Sequence, residues 1–316
     1  MNLKLIRFDP QFQDAWDSFV MGNSNGTFLH TRKYLSYHLD RFDDSSYLIY
    51  QGEKLVGVIP LASQNQNPEI AISHPGISYG GVIHDGKLLG KSMLETLNLI
   101  CLELKKNGYS TFRYKTIPFF YNSFPAQDDI YFLHQLGANI SRCDLSSTVS
   151  LKNQLPISRK KVRLAEKFGG AFEVRDSFAS IQDFWTILLE NLLERHDSSP
   201  THSIEEITQL QTWFPNQIQL FTLYLDDLCL AGLIVYKTRM AWHIQYMSAS
   251  ESGRSHQAMD LLVQIVLTRA EQADVSFLDF GHSNEDGGRF LNEGLYQFKS
   301  KFGSGGVSLL EFSLSL

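Results

Sequence analysis

The sequence predicts an α+β protein built from two tandem domains, each a mixed sheet flanked by helices. One order of elements, a strand hairpin, a further strand, an amphipathic helix and a closing strand, occurs once in each half of the chain. A length of 316 residues suffices for two domains of ordinary size. With 43 % hydrophobic and 20 % charged residues, the composition is that of a folded globular protein. We therefore expect one domain over residues 1–150 and a second over 151–316.

The first copy opens with a helix whose start is marked by Asp9-Pro10, an acceptor at the cap followed by proline in the first turn. Hydrophobic periodicity and turn residues then define the remaining elements. In chain order these are a short helix at 31–39, a hairpin at 46–63, a strand at 71–81, a helix at 91–108 and a strand at 110–121.

The second copy repeats this order with few identical residues. Aligning Leu48 with Leu223 places Gly57 over Gly232 and matches the two hairpins. The predicted elements are a hairpin at 220–238 turning at Asp226-Asp227, a strand at 241–250, a helix at 255–272 and a strand at 275–283.

Three further helices are predicted between the two copies. A basic helix spans 158–170 with Ser158 as its cap, and an amphipathic helix spans 177–196. The sequence SIEE at 203–206 is a capping box that opens the third helix. The cations of the basic helix are read either as a phosphate-binding face or as an ordinary solvated face.

Charge and cysteine content exclude several functional classes. A net charge of −6 argues against broad electrostatic capture of nucleic acid, so DNA is not an expected partner. Cys101, Cys143 and Cys229 lie far apart and have no metal-ligand spacing, so neither a disulfide framework nor a metal site is expected. The N-terminal residues lack a signal-peptide core and no long apolar run occurs, so we expect a cytoplasmic protein without a transmembrane segment.

Four segments resemble the FemAB-type family of transferases, which carry two GNAT-like domains (the acyl-CoA N-acyltransferase fold). They are RKKVRLAEKFGG (159–170), LCLAGLIVYKT (228–238), AWHIQYMSAS (241–250) and FLDFGHS with GLYQFKSKFG (277–303). The resemblance implies a transferase that moves an acyl or aminoacyl group onto an amine of a cell-envelope or polysaccharide precursor, lodged between the domains. It implies acyl-CoA or aminoacyl-tRNA as co-substrate and no tightly bound cofactor. The acidic net charge favours the small donor over tRNA.

The resemblance and the residue types together predict the site. Acyl transfer to an amine needs a group that polarises the carbonyl and a route for the amine proton. The candidate residues are listed by role: catalytic Lys299, His282 and Tyr246; substrate-binding Ser283, Gln245, Tyr296, Tyr79 and Arg113; and donor-binding Gly253, Arg254 and Ser255. Gln245 and Tyr246 are expected to end their strand.

Each catalytic candidate has an ordinary structural alternative. Lys299 either reaches a substrate oxygen or lies at the surface with only its stem buried. His282 is either a general base or a locally hydrogen-bonded loop histidine. Tyr246 is either a hydroxyl donor or a core tyrosine. Asp279 either lines a cleft or pairs with a neighbouring cation.

The family resemblance has two departures and leaves two rival functions. His282 stands where relatives often have arginine, and the turn SESGRSHQA (250–258) keeps only one glycine of the coenzyme A motif. One rival is a plain GNAT enzyme that uses acetyl-CoA in the second domain alone. The other is a catalytically inactive duplicate that acts as a binding module.

Overall fold

The computed structural model describes residues 2–23, 25–158, 172–196 and 199–316. Apart from Ser158, the predicted basic helix with Arg159, Lys160, Lys161 and Arg163 lies outside the described residues. The chain forms two compact units. The first comprises Met1–Asp144, Asp286–Arg289 and Ser308–Leu316, and the second comprises Leu145–Glu285 and Phe290–Val307. The division predicted at residue 150 stays a prediction.

The first unit contains two sheets and four α-helices among its described residues. Its elements are β1 Leu3–Arg7, α1 Gln13–Gly22, α2 Arg32–Leu35, β2 Phe42–Asp44, β3 Tyr47–Gln51, β4 Lys54–Ile59, β5 Ala62–Gln64, β6 Asn67–Ile72, β7 Ile83–His84, α3 Lys91–Lys106, β8 Thr111–Lys115 and α4 Asp128–Gln135. One sheet has the order β1-β3-β4-β7 and is antiparallel. In the other, β2, β5, β6 and β8 follow one another, with β6 parallel to β8.

The core of the first unit lies between α3 and the strands. The apolar stripe of α3, including Leu97 and Leu104, packs with Val56, Phe112 and Tyr114, all of which are fully buried. This is the face that a 3.6-residue periodicity predicts for the helix.

The second unit is a sheet with helices, and β9 Asn139–Ser150 enters it from the first. Its remaining elements are β10 Glu173–Arg175, α5 Ile181–His196, α6 Ile204–Trp213, β11 Ile218–Leu225, β12 Leu228–Lys237, β13 Ala241–Ala249, α7 Glu251–Ser255, α8 Ala258–Gln272, β14 Phe277–His282, β15 Asn284–Glu285, β16 Phe290–Leu291 and α9 Glu293–Ser300. The strand order is β10-β11-β12-β13-β14-β9. Only the β13–β14 pair among these is parallel, and α8 connects its two strands.

The final strand, β17 Gly305–Ser315, pairs antiparallel with β8 in the first unit through Glu311–Ser315. Neither β17 nor α4 nor β9 was predicted from the sequence. Within the described residues, no helix is both long and apolar enough to cross a bilayer.

Several predicted boundaries were wrong, each for a local reason. The strand expected at 71–81 lies at 67–72, because the following residues include Pro75 and three glycines and turn at His74, whose φ is 58°. The strand expected at 110–121 ends at Lys115, shortly before Pro118, which cannot donate a backbone hydrogen bond. The helix expected at 255–272 is interrupted because Gln257 adopts a left-handed conformation between α7 and α8.

The repeat is present, but its predicted register is one residue out. Two-residue turns connect both hairpins, Gly52-Glu53 in the first and Asp226-Asp227 in the second. Each hairpin has a register shift just before its turn, at Ile49/Tyr50 and at Leu223/Tyr224. Matching these features places Gly57 over Ala231 rather than over Gly232.

Acid should weaken the first unit through His30. This side chain is fully buried, its Nδ1 accepts a hydrogen bond from the Thr27 backbone, and burial lowers its pKa from 6.5 to about 4. The unfolded chain binds a proton below pH 6.5 while the folded chain does not, so the stabilisation is complete above pH 6.5 and is lost as the pH falls. We expect the opening free energy of α1 and α3, measured by hydrogen exchange, to fall by about 2 kcal/mol between pH 7 and 5 from this residue alone.

The variant His30→Gln keeps an acceptor and removes the titration, so it should flatten that pH dependence. The control is His134→Gln, since His134 is exposed on α4. An unchanged slope in His30→Gln would contradict the assignment.

Candidate functional site

The two parallel strands of the second unit separate at their carboxyl ends. Their pairing runs from Ala241–Phe277 to His243–Asp279 and then stops, although β13 continues to Ala249. At the same level β14 shifts its register against β9, and Gly281 adopts a φ of 71°. Ligands of α/β proteins bind outside the carboxyl ends of strands where neighbouring chains diverge. This opening is therefore the candidate site.

A buried carboxylate lies where the strands separate. Asp279 Oδ1 accepts hydrogen bonds from Ser146 Oγ at 2.5 Å and Thr148 Oγ1 at 2.9 Å, both on β9. Its Oδ2 lies 2.7 Å from Nδ1 of His243 on β13. Burial alone would raise the pKa of Asp279, but the bonds from His243, Ser146 and Thr148 outweigh burial and hold the pKa below its usual value. Asp279 is therefore ionised, and its Oδ2 pairs with His243.

His243 was missed by the sequence reasoning. The side chain of His243 is 19 % exposed, and its Nε2 makes no hydrogen bond to any residue that the structure describes. Strand alternation could have found it, because Trp242 and Ile244 enter the core on one face while His243 points to the other. The same alternation separates Asp279 from Leu278 and Phe280.

The ionised carboxylate fixes the tautomer of His243. A carboxylate only accepts, so the facing Nδ1 must carry a proton, and whenever the ring is neutral the lone pair lies at Nε2. Gly281 leaves room for the ring, since a Cβ at that position would lie 3.3 Å from Cε1 of His243.

Lys299 lies in α9 and is almost completely buried, with 2 % of its surface exposed. Its Nζ donates to the backbone oxygens of Gly281 at 2.9 Å and His282 at 2.8 Å. Burial lowers the pKa of Lys299 to about 8, and the negative charge of Asp279 partly opposes that shift. The ammonium group is not at the surface, which excludes the alternative of a surface lysine with only its stem buried.

His282 and Ser283 are the two residues after Gly281 in the chain. The side chain of His282 is exposed, and its backbone oxygen binds Lys299. Ser283 is buried, its backbone N–H donates to Leu145, and its oxygen accepts from the N–H of Asn292. The Ser283 hydroxyl has no hydrogen-bond partner among the described residues.

Tyr246 and Gln245 lie inside β13, so the prediction that they end the strand was wrong. The Tyr246 hydroxyl lies 2.6 Å from Nδ1 of His202 and accepts from the His202 N–H at 3.2 Å. Its ring packs edge-on against Trp185, with 5.6 Å between centroids. Tyr246 therefore fastens the loop before α6 to the sheet, and Gln245 is half-buried beside it.

The predicted donor-binding turn follows β13. Ser250 caps α7 by accepting from the N–H of Gly253, and a Cβ on Gly253 would overlap the backbone oxygen of Leu230. Arg254 is exposed and donates to the Asn191 side chain and the Ala249 backbone. Ser255 donates to the Ser252 backbone.

Two of the three remaining predicted substrate residues, Tyr79 and Arg113, have local partners in the first unit. Tyr296 is half-buried in α9. Tyr79, in the first unit, donates to the Thr27 hydroxyl and stacks on Tyr121 with 4.4 Å between centroids. Arg113, also in the first unit, donates to Glu311 through Nε at 2.6 Å. Across the described residues, no cluster of three or more His, Cys, Asp or Glu side chains could hold a metal ion.

Comparison with known proteins adds to this geometry. Residues 154–299 match a protein-family model described as an acetyltransferase (GNAT) domain. The fold resembles FemX, with a TM-score of 0.72 at 14 % identity over 99 % of this chain and 97 % of that one. It also resembles the C-terminal domain of a putative lysylphosphatidylglycerol synthetase from Agrobacterium fabrum, with a TM-score of 0.62 at 13 % identity over 97 % and 92 %.

A third similar structure is a tandem GNAT protein from the clavulanic acid biosynthesis pathway, with a TM-score of 0.54 at 12 % identity over 99 % and 98 % of the two chains. No curated protein sequence matches the chain. The predicted resemblance and fold class are confirmed. Residues 154–299 carry a GNAT domain, and the fold of the whole chain is similar to that of FemX and to that of the tandem GNAT protein.

Proposed function

We propose that the protein transfers an acyl or aminoacyl group from an activated donor to an amine of a cell-envelope or polysaccharide precursor. The observation that carries the proposal is the opening between β13 and β14, beside a buried carboxylate–histidine pair and a buried lysine. The amine nitrogen would attack the carbonyl carbon there, so that a carbon–nitrogen bond forms and the bond to the donor breaks. Direct transfer of this kind needs no covalent enzyme intermediate.

An acyl-CoA is the donor that the second unit suits best. The first turn of α8 begins at Ala258 without a side-chain cap, and its N–H groups favour an anionic group such as a pyrophosphate. Arg254 adds an exposed cation on the preceding turn. The close contact of Gly253 with the Leu230 backbone fixes the path of this turn. Aminoacyl-tRNA is the alternative donor, and the acidic chain favours it less.

The acceptor class is proposed from two observations. The sequence resembles FemAB-type transferases, and the fold is shared with the C-terminal domain of a protein named as a putative lysylphosphatidylglycerol synthetase. Tyr246 and Gln245 on β13 and Tyr296 on α9 are the proposed acceptor contacts in the second unit. Tyr79 and Arg113 are proposed for the first unit.

Lys299 acts on this site through its position. An ammonium group has three N–H donors, and two of them hold the backbone oxygens of Gly281 and His282. The lysine thereby fixes the end of β14, and its third donor is available for a substrate oxygen. The same lysine holds the backbone of His282, and we propose His282 and the neighbouring Ser283 as further substrate contacts.

Transfer can be tested with a donor and acceptor panel. Acetyl-CoA, longer acyl-CoAs and aminoacyl-tRNAs are each incubated with nucleotide-linked amino sugars, muropeptide precursors and aminolipids, and products are detected by mass. We expect an acyl-CoA to acylate one amine class, with release of one thiol per product. Donor binding without any acylated product across the panel would contradict the proposal and favour a binding module.

Arg254→Ala should weaken acyl-CoA binding by about 5- to 10-fold, because one exposed charge contact to phosphate is removed. Binding can be followed by calorimetry, with Arg289→Ala as a control for an exposed arginine. Equal affinities of the wild-type protein, Arg254→Ala and Arg289→Ala would show that the donor does not bind at this turn.

Lys299→Met should destabilise the second unit by about 1–3 kcal/mol, because two backbone oxygens lose their donor. Hydrogen exchange should become faster at residues 281–284. Lys301→Met is the matched control, since Lys301 is exposed two residues away and should change stability by less than about 0.5 kcal/mol. Similar results for both variants would refute the anchoring role of Lys299.

A further inference from the structure

We propose that His243, oriented by Asp279, is the general base that removes the proton from the attacking amine. The proposal rests on the proposed function and adds a catalytic residue and a positioning residue to it. It assigns the base to the sheet, in place of the exposed His282 that the sequence suggested.

The Asp279 carboxylate orients the His243 ring. The bond between His243 Nδ1 and Asp279 Oδ2 is 2.7 Å long, which is short for a nitrogen–oxygen pair and typical of a charge-assisted bond. Asp279 is itself fixed by Ser146 and Thr148, so the carboxylate that orients the ring is held in place. A positioned imidazole with its lone pair at Nε2 is the arrangement of a general base.

The negative charge of Asp279 favours protonation of His243 during the reaction. When Nε2 takes a proton, the ring becomes a cation beside an ionised carboxylate, which stabilises it. Donors from β9 keep Asp279 anionic, so the proton remains on the imidazole. The other groups that face the pair are Lys299 from α9, whose charge acts on Asp279, and Tyr236, the partner of His243 on β12.

His243 lies at the opening between β13 and β14. His243 is the last residue of β13 that pairs with β14, so its ring lies where the strands begin to separate. Gly281 provides the space beside the ring. A buried structural pair would have both ring nitrogens bonded, whereas only Nδ1 is engaged within the described part of the chain.

The neutral amine attacks the carbonyl carbon of the donor, the nitrogen–carbon bond forms and the carbon–sulfur bond of the thioester breaks. Nε2 of His243 takes the one proton that the nitrogen loses, and the sulfur departs as a thiolate. The imidazolium then gives that proton to the thiolate, so an amide and a thiol leave, the ring is neutral again, and no oxidant or reductant is consumed.

The first test does not depend on the reaction. Nitrogen NMR of the protein labelled at histidine, recorded at pH 8, should show His243 neutral with the proton on Nδ1. Asp279→Asn should change that tautomer or mobilise the ring. A wild-type His243 with its proton on Nε2 would overturn the proposal whether or not the enzyme transfers acyl groups.

The second test uses the donor and acceptor pair identified by the panel. In His243→Asn, the amide keeps a donor for Asp279 and removes Nε2, and we expect kcat/KM to fall by about 100-fold or more. His134→Asn, exposed in the first unit, is the control and should retain full activity. Thermal unfolding of each variant shows that it is folded.

Chemical rescue separates a base from a structural group. Added imidazoles should restore the rate of His243→Ala, and the restored rate should increase with the basicity of the imidazole. Rescue that is independent of basicity, or an unchanged rate in His243→Asn, would refute the proposal. Absence of transfer by the wild-type protein would instead refute the proposed function, so the two failures are distinguishable.

Discussion

The carboxylate of Asp279 is the constraint on which the second unit depends. Burying an ionised group is costly unless hydrogen bonds replace its water, and here the donors come from two other strands, β9 and β13. Both strands must keep their register against β14 for the three donors to meet the two oxygens. The same charge sets the tautomer of His243 and favours the buried cation of Lys299. Asp279 therefore contributes both to the strand pairing of the fold and to the proposed chemistry.

The bend at Gly281 likewise has two effects, one on the pairing of β14 and one on the contact with Lys299. A positive φ ends the regular pairing of β14 and turns two backbone oxygens toward α9, where a single lysine side chain satisfies both. A shorter or uncharged side chain at 299 would leave these oxygens without a donor. The strand end is therefore defined by a side chain that lies 17 and 18 positions further along the chain.

Local patterns predicted most of the helices and both hairpins. The stripe of α3, the capping box of Ser203 and Glu206 and the turn at Asp226-Asp227 each depend on residues a few positions apart. The pairing of His243 with Asp279 could not be predicted in the same way, because it requires knowing which strands are neighbours. The burial of Lys299 could not be predicted either, because periodicity assigns a residue to a helix face and does not give its distance from solvent. The register of the repeat was missed because the glycines are not equivalent, whereas the turns and bulges are.

The position of β17 has a consequence for how the protein is made. This strand pairs with β8 through residues 311–315, and Phe312 belongs to the core of the first unit. A ribosome delivers those residues after the second unit, so the first unit cannot complete its sheet until the second unit has been synthesised. Until then β8 has an unpaired edge of the kind that favours aggregation. A gene fragment that encodes only the first 150 residues would make that temporary state permanent.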